Sequence, residues 1–271
     1  ILTIEDFRRD YAEAKGNPVE ENLFRQLRLN QWVKQGIRAI PMDRWDRCDQ
    51  PANVTSRPCY GGLDLSATDD LTAFVVCAGN PDGWYDVIPH FWIPESRMAE
   101  HEHRHRVPYS KWVRQGFVTA IPGDVIDYRY VIQDIADICQ ELDIREIAFD
   151  RWGAAKVVQD LVEMGFSLDP KAWGRKLVQF GQGFASMSAP TKELLRVVVD
   201  GKLRHGGNPV LRWNADNFVT STDPAGNVKP DKAKATMKID GIVALIMALD
   251  RATRNQSNEK SIYEEVGIEA L

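Results

Sequence analysis

Three aspartates of this chain lie in or beside segments that are otherwise apolar. Asp64 interrupts YGGLDLSATDDLTAFVV, a stretch that otherwise has the composition of a buried strand. Asp150 ends the strand-like segment IREIAFD, and Asp240 opens an otherwise apolar helical pattern. A buried carboxylate is costly unless it has a partner, a metal ion or a shifted pKa. Carboxylates that cluster would repel one another without a cation, so these residues predict a metal site.

The residue type indicates which metal and which reaction. Hard divalent ions prefer oxygen ligands, and Mg²⁺ typically takes one or two carboxylates together with water and substrate phosphate. Two such ions about 3.5 to 4 Å apart activate a water and stabilise the leaving oxygen of a phosphodiester. We therefore predict that Asp64, Asp150 and Asp240 are catalytic and bind two Mg²⁺ or Mn²⁺ ions. The structural alternative is that Asp64 accepts backbone hydrogen bonds and Asp240 caps its helix.

The elements that position these aspartates follow from the hydrophobic pattern. Residues 1 to about 35 predict two helices, and residues 41–58 a connecting stretch. Three strands then follow in succession, joined by the turn formers SATDD and GNPDG, which predicts an antiparallel meander. From the short strand FVTAIPG onward, strands alternate with helices, which implies parallel strands. In this half Ser188 is predicted to cap the helix APTKELLRVVVDG, and the final helix is KIDGIVALIMALDRA.

This order of elements resembles the ribonuclease H-like fold. The implied fold class is α/β: a ribonuclease H-like mixed sheet, in which an antiparallel three-strand meander continues into parallel strands, flanked by helices. Such folds place one carboxylate in the first strand, another at the end of the fourth and a third on a later helix. Asp64, Asp150 and Asp240 occupy those places in order.

Several long segments carry a more specific resemblance. They are GGLDLSATDDLTAFVV, VPYSKWVRQGFVTAIPGDVIDY, FDRWGA, GQGFASMSAPTKELL and DGKLRHGGNPVLRWNADNFVTSTDPAGNVKPDKAKATMKIDGIVALIMALDRA. Over roughly residues 40 to 255 the chain resembles the nuclease domain of the tailed-phage terminase large subunit, HK97-like type. The resemblance implies cleavage of concatemeric double-stranded DNA during genome packaging in the cytoplasm of the infected bacterial host. The implied partners of the full-length protein are a packaging ATPase domain, the portal protein and the small terminase subunit.

The domain boundaries are predicted from the same resemblance. The sequence begins with Ile1 and contains no G-x-x-x-x-G-K-[ST] stretch, the phosphate-binding loop of such ATPases. We expect residues 1–40 to be a helical linker from a missing N-terminal ATPase domain and 41–255 to be the nuclease domain. Residues 256–271 are expected to form a C-terminal tail.

DNA binding has to come from local charge, because the net charge of the 271 residues is −5. The densest basic stretch is KPDKAKATMK, which leads into the helix of Asp240. The predicted DNA-binding residues are Lys229, Lys232, Lys234, Lys238 and Arg204. One alternative is that the DNA path runs along Arg175, Lys176, Lys202 and Arg204. The simplest alternative is that these basic residues form an ordinary solvated surface and do not contact DNA.

Other features of the sequence weigh against further sites. Four cysteines without C-x-x-C spacing favour reduced thiols. HEHRHR is expected to be a solvated loop, and Asp69 and Asp70 to form a turn. The element GNPVLRWNADN is expected to lie near the site, and no apolar run reaches the length of a membrane span.

Two other functions fit part of the pattern. GLDLS also resembles the first phosphate loop of actin-like ATPases, although FDRWGA stands where their second glycine-rich loop would be. The second of these functions is that of a non-catalytic DNA-docking module of the packaging motor, in which the aspartates are structural.

Overall fold

The computed structural model describes residues 3–14, 24–25, 28–29, 38–65, 70–150 and 155–265. A mixed sheet forms its centre, as the sequence predicts. The described strands are β1 Cys59–Asp64, β2 Thr72–Gly79, β3 Tyr85–Pro94, β4 Thr119–Ile121, β5 Ile144–Phe149, β6 Lys176–Gln179, β7 Leu203–Arg204, β8 Thr220–Thr222 and β9 Val228–Pro230.

The sheet has the order β4-β3-β2-β1-β5-β6, and β7 pairs with the start of β3. β1, β2 and β3 form the antiparallel meander, whereas β5 and β6 continue the sheet in parallel to β1. β8 and β9 form a separate antiparallel hairpin. The predicted fold class is therefore confirmed.

Helices cover both faces of this sheet. The described helices are α1 Ile4–Ala14, α2 Met42–Trp45, α3 Met98–His105, α4 Tyr109–Arg114, α5 Tyr128–Glu141, α6 Ala155–Glu163, α7 Phe184–Val199, α8 Pro209–Asp216 and α9 Asp240–Glu265. α5 and α6 pack on one face, in a core that includes Val131, Ile135 and Leu161. α7 and α9 pack on the other, in a core that includes Leu194 and Ile242.

The approach of α9 to the sheet depends on Gly62 in β1. A Cβ atom at this position would lie 2.0 Å from the carbonyl oxygen of Ala244 and 2.8 Å from the amide nitrogen of Ala248. Backbone therefore packs directly on backbone, which only glycine permits. Since Asp64 lies two residues after Gly62 and Asp240 four residues before Ala244, this contact brings the two carboxylates to the same end of the sheet.

The segment before α2 is joined to the hairpin. Arg38 and Val219 form an antiparallel bridge, and the amide of Ala39 donates to the carbonyl of Phe218 at 2.9 Å. Ile40 follows with its side chain fully buried. The second predicted N-terminal helix lies largely outside the described residues.

Three local predictions are wrong. HEHRHR belongs to α3 rather than to a loop, and its His101 and His105 are buried, because one helix turn places both on the face that packs against Tyr109.

α7 begins at Phe184, so Ser188 lies inside the helix, and its hydroxyl accepts a hydrogen bond from the amide of Val228 at 3.1 Å. The final helix continues to Glu265, beyond its predicted end.

Two further expectations concern the state of the cysteines and the absence of a membrane-spanning helix. All four cysteines are free and buried, as expected for reduced thiols, and burial raises the pKa of Cys59 and Cys139 to about 11. In the described part of the chain, no helix combines the length and apolar character that a membrane span requires.

Candidate active site

Asp64 lies at the carboxyl end of the central strand β1. Its side chain is buried, with 2% of the residue exposed, in a position that open α/β sheets use for functional sites. The side-chain amide of Gln182, in the connection between β6 and α7, donates to Asp64 Oδ1 at 3.1 Å. The carboxylate is thus oriented from one side by a neutral donor.

Asp240 is the first residue of α9 and is also buried, at 7% exposure. Its negative charge stands at the positive end of the helix dipole, which favours a carboxylate there. The neighbouring amide of Gly241 donates to Asn214 Oδ1 at 2.9 Å, and Asn214 Nδ2 donates to the carbonyl of Val210 at 3.0 Å. α8, the predicted element near the site, therefore fixes the start of α9 through Asn214.

Lys232 joins the two carboxylates. Its ammonium nitrogen lies 2.7 Å from Asp64 Oδ2 and 2.8 Å from Asp240 Oδ1. The backbone around it forms a turn, since Asp231 Oδ1 accepts from the amides of Ala233 at 3.1 Å and Lys234 at 3.0 Å. One cation-sized position is therefore shared by two buried carboxylates from distant parts of the chain.

The electrostatics of this group reflect its burial. Burial raises the pKa of Asp64 to about 7; the charge of Lys232 opposes the shift and that of Asp240 adds to it. Burial by itself would lower the pKa of Lys232, but the charges of Asp64 and Asp240 together raise it. The two carboxylates thus favour a positively charged group at the position that they share.

Asp150 follows β5 directly. Leu63 of β1 pairs with Phe149 of β5 in parallel register, so Asp64 and Asp150 are the next residues on neighbouring strands. Within the described residues, no group of three or more His, Cys, Asp or Glu side chains is arranged to hold a metal ion. The structure therefore brings Asp64 and Asp240 together, and the ligand roles of the three aspartates stay predictions.

The predicted DNA-binding lysines lie in β9, which contains Lys229, and in the segment that connects β9 to α9. Lys229 Nζ lies 5.2 Å from the ring centroid of Phe184, at the start of α7. Lys234 is exposed and its Nζ lies 3.5 Å from Asp231 Oδ2. Lys238 forms an ion pair with Asp70, in the connection between β1 and β2, where Asp69 lies outside the described residues. Of the four predicted lysines, Lys232 is thus the one that contacts the carboxylate pair, and it lies between the two members.

Arg204 lies elsewhere. It pairs with Asp86 at the start of β3, and its guanidinium lies 4.6 Å from the ring centroid of Trp84. That end of β3 is level with the start of β1, whereas Asp64 ends β1. Lys176, opposite Glu146 near the start of β5, is at the same distant end. The alternative DNA path thus runs at the end of the sheet opposite the carboxylate pair.

A pocket of about 320 Å³ opens beside Asp240. Its lining includes Lys232 and Lys238, and also Arg104 and His105 of α3. Burial lowers the pKa of His105 to about 4, and its Nδ1 lies 3.1 Å from the hydroxyl of Tyr109. A neutral, packed His105 therefore forms part of the wall, and the cations at the pocket come from lysine and arginine.

Sequence reasoning missed two side chains of this site, Gln182 and Arg104. Gln182 is contained in GQGFASMSAPTKELL, but nothing in its residue type indicates a contact with an aspartate 118 positions away. Arg104 is the one residue of HEHRHR that reaches the pocket with a fixed positive charge. Recognising α3 as a helix with two buried histidines would have placed Arg104 on its accessible side.

The order of the sheet and the placement of its helices define a ribonuclease H-like fold. Sequence comparison then shows the family to which the chain belongs. The profile of the family described as "Terminase large subunit, endonuclease domain" matches residues 1–256. The chain belongs to this family, which confirms the predicted resemblance and gives no support to the actin-like alternative.

Individual relatives agree with this assignment. The chain is 39% identical over 260 residues to the "Terminase, large subunit" of Enterobacteria phage HK97, covering 96% of this chain and 50% of that protein. It is 30% identical over 274 residues to "Protein YmfN" of Escherichia coli strain K12, covering 95% and 58%. The crystal structure of the HK97 bacteriophage large terminase superposes with a TM-score of 0.73 over 93% of this chain and 51% of that one. The chain thus spans about half the length of its HK97 relative.

Proposed function

We propose that this chain is a metal-dependent endonuclease that cleaves concatemeric double-stranded viral DNA during genome packaging. The observation that carries the proposal is the convergence of Asp64 and Asp240 on one cation-sized position at the carboxyl end of the sheet. Membership of the terminase endonuclease family supports the same activity.

The residues at this position fit a hard divalent ion. Lys232 stands in for such an ion, because its ammonium group is held by one carboxylate oxygen from each aspartate. Asp64 and Asp240, with Asp150 beside them on the next strand, would hold Mg²⁺ or Mn²⁺, and two ions are proposed. When bound, such ions activate water and stabilise charge on the leaving oxygen of a phosphodiester.

The chain's own residues supply binding and orientation. Gln182 donates to Asp64 Oδ1 while Lys232 donates to Oδ2, and Asn214 fixes the first turn of the helix that carries Asp240. Lys229 and Lys234 offer positive charge to a DNA backbone that approaches the carboxylates.

The proposed partners are double-stranded DNA, a packaging ATPase domain, the portal protein and the small terminase subunit, in the cytoplasm of the infected host.

Cleavage of supercoiled plasmid tests the proposal directly. With Mg²⁺ or Mn²⁺ we expect the purified chain to nick and then linearise the plasmid, with little sequence preference, and with EDTA we expect no cleavage. Addition of excess Mg²⁺ to the EDTA-treated sample should restore cutting. Undiminished cleavage in EDTA would rule out the metal requirement, and DNA binding without cleavage under every metal condition would favour the docking module.

The DNA path gives a second test. Each phosphate neutralised contributes about 0.9 to the slope of log affinity against log salt, so Lys229→Ala combined with Lys234→Ala should flatten that slope by up to about 1.8. The matched control is Lys202→Ala combined with Arg204→Ala, which removes the same charge at the distant end of the sheet. Fluorescence anisotropy with a labelled duplex, in EDTA to prevent cleavage, measures both. A flattened slope in the control pair alone would move the DNA path to the distant end.

A further inference from the structure

The contacts of Lys232 have a consequence for how a metal ion would enter this site. The ammonium group lies within 2.8 Å of both Asp64 and Asp240, whose side chains are 3% and 10% exposed. Hydrogen bonds from an ammonium group to carboxylates are charge-assisted and about twice as strong as neutral ones. The same oxygens are the ligands that a divalent ion would need.

Lys232 has room to leave. Its side chain is 42% exposed, far more than either carboxylate, and it lines the pocket that also contains Arg104 and Lys238. The turn set by Asp231 holds its backbone, so movement of the ammonium group requires only rotation of a long side chain. Displacement therefore does not require refolding of the segment before α9.

The other cations of the pocket are held differently. Lys238 pairs with Asp70, and Arg104 pairs with Glu100 on its own helix. In the described part of the chain, neither forms an ion pair with Asp64 or Asp240. Among the lysines of the KPDKAKATMK stretch, Lys232 is thus the one whose partners coincide with the proposed metal ligands.

We propose that Lys232 is an exchangeable counter-ion, which holds Asp64 and Asp240 in the metal-free protein and which a divalent ion displaces into the neighbouring pocket. This inference rests on the proposed metal site. Two consequences follow from it. Lys232 competes with metal ions for the carboxylates, and its amine becomes more reactive when metal is bound, because it no longer donates to them.

Lysine acetylation of the wild-type chain tests the second consequence without any substitution. The protein is treated briefly with an amine-acetylating reagent, with or without saturating Mn²⁺ or Mg²⁺, and the labelled peptides are quantified by mass spectrometry. We expect Lys232 to be acetylated slowly without metal and several-fold faster with it. Lys234, two residues away and exposed, should be acetylated equally in both conditions.

Calorimetric titration with Mn²⁺ tests the competition. Lys232→Met should bind Mn²⁺ about tenfold or more tightly than wild type, because the ion no longer displaces a bound ammonium group. Lys234→Met removes the same charge from the same segment and should leave the affinity nearly unchanged. The melting temperature of Lys232→Met should fall without metal and recover with it, which separates loss of the counter-ion from misfolding.

The outcomes separate the two proposals. Metal binding that leaves both the acetylation of Lys232 and the affinity of Lys232→Met unchanged would overturn the exchange and leave the metal site standing. Weaker Mn²⁺ binding by Lys232→Met would also overturn it, since Lys232 would then support the ligands. Absence of calorimetric binding in every variant would refute the proposed metal site itself, and the exchange with it.

Discussion

Asp64→Asn and Asp240→Asn are each expected to reduce Mg²⁺-dependent cleavage by at least about 100-fold, since even outer-shell partners of metal ligands contribute 10- to 100-fold. Asparagine keeps the size of the side chain but removes the charge that a divalent ion needs. The amide also loses the ion pair with Lys232, so the ammonium group keeps a single carboxylate partner. Carboxylate repulsion alone does not describe the metal-free site, because the structure supplies a cation between the two aspartates.

Plasmid cleavage rates over a range of Mg²⁺ and Mn²⁺ concentrations provide the measurement. Asp86→Asn is the matched control: Asp86 is equally buried in the same sheet, but it pairs with Arg57 at the distant end, 2.7 Å away. This control should lose stability and keep its specific activity. Near-normal cutting by Asp64→Asn or Asp240→Asn at saturating Mn²⁺ would remove that residue from the ligands. Asp150→Asn, measured alongside, tests the third predicted ligand in the same way.

Gly62→Ala is expected to cause a large loss of stability. The new Cβ would lie 2.0 Å from a backbone oxygen of α9, and neither strand nor helix backbone has freedom to yield. Overpacking of a core costs about 1–3 kcal/mol when side chains yield, so a backbone clash should cost more than about 3 kcal/mol. For a chain of this size the melting temperature should fall by about 6 °C or more.

Thermal unfolding followed by circular dichroism measures this loss. Gly181→Ala is the control, since its added Cβ would approach only the Ser186 hydroxyl, at 3.3 Å. Its stability should change by no more than about 0.5 kcal/mol. Equal melting temperatures for Gly62→Ala and wild type would show that α9 does not pack on β1 as described.

Much of this fold could be predicted because its local signals agree with its tertiary contacts. The meander has turn formers between strands of continuous apolar residues, and α5 and α6 have apolar residues at helical spacing. Asp64 stood out since a carboxylate in such a strand conflicts with the pattern. Such conflicts between local and global preference concentrate at functional sites.

The remaining features depend on contacts between distant segments. The charge-rich composition of α3 gave no sign that His101 and His105 are buried, because Tyr109 and Trp213, which pack against His105, come from other helices. Arg204 and Lys232 are both basic residues near turns, yet the strand register puts them at opposite ends of the sheet. The net charge of the chain and the spacing of its lysines do not indicate which lysine forms an ion pair with a buried carboxylate.

The bridge between Arg38 and Val219 joins the chain ahead of α2 to the start of the hairpin, so a pull on that chain would act on both. A pull on the chain ahead of residue 38 would first load this bridge, because Ile40 anchors the chain immediately behind it. Val219 leads directly into β8, whose partner β9 ends two residues before Lys232. Tension would therefore load the start of the hairpin, which leads on to the lysine between the carboxylates, together with the core that holds Ile40.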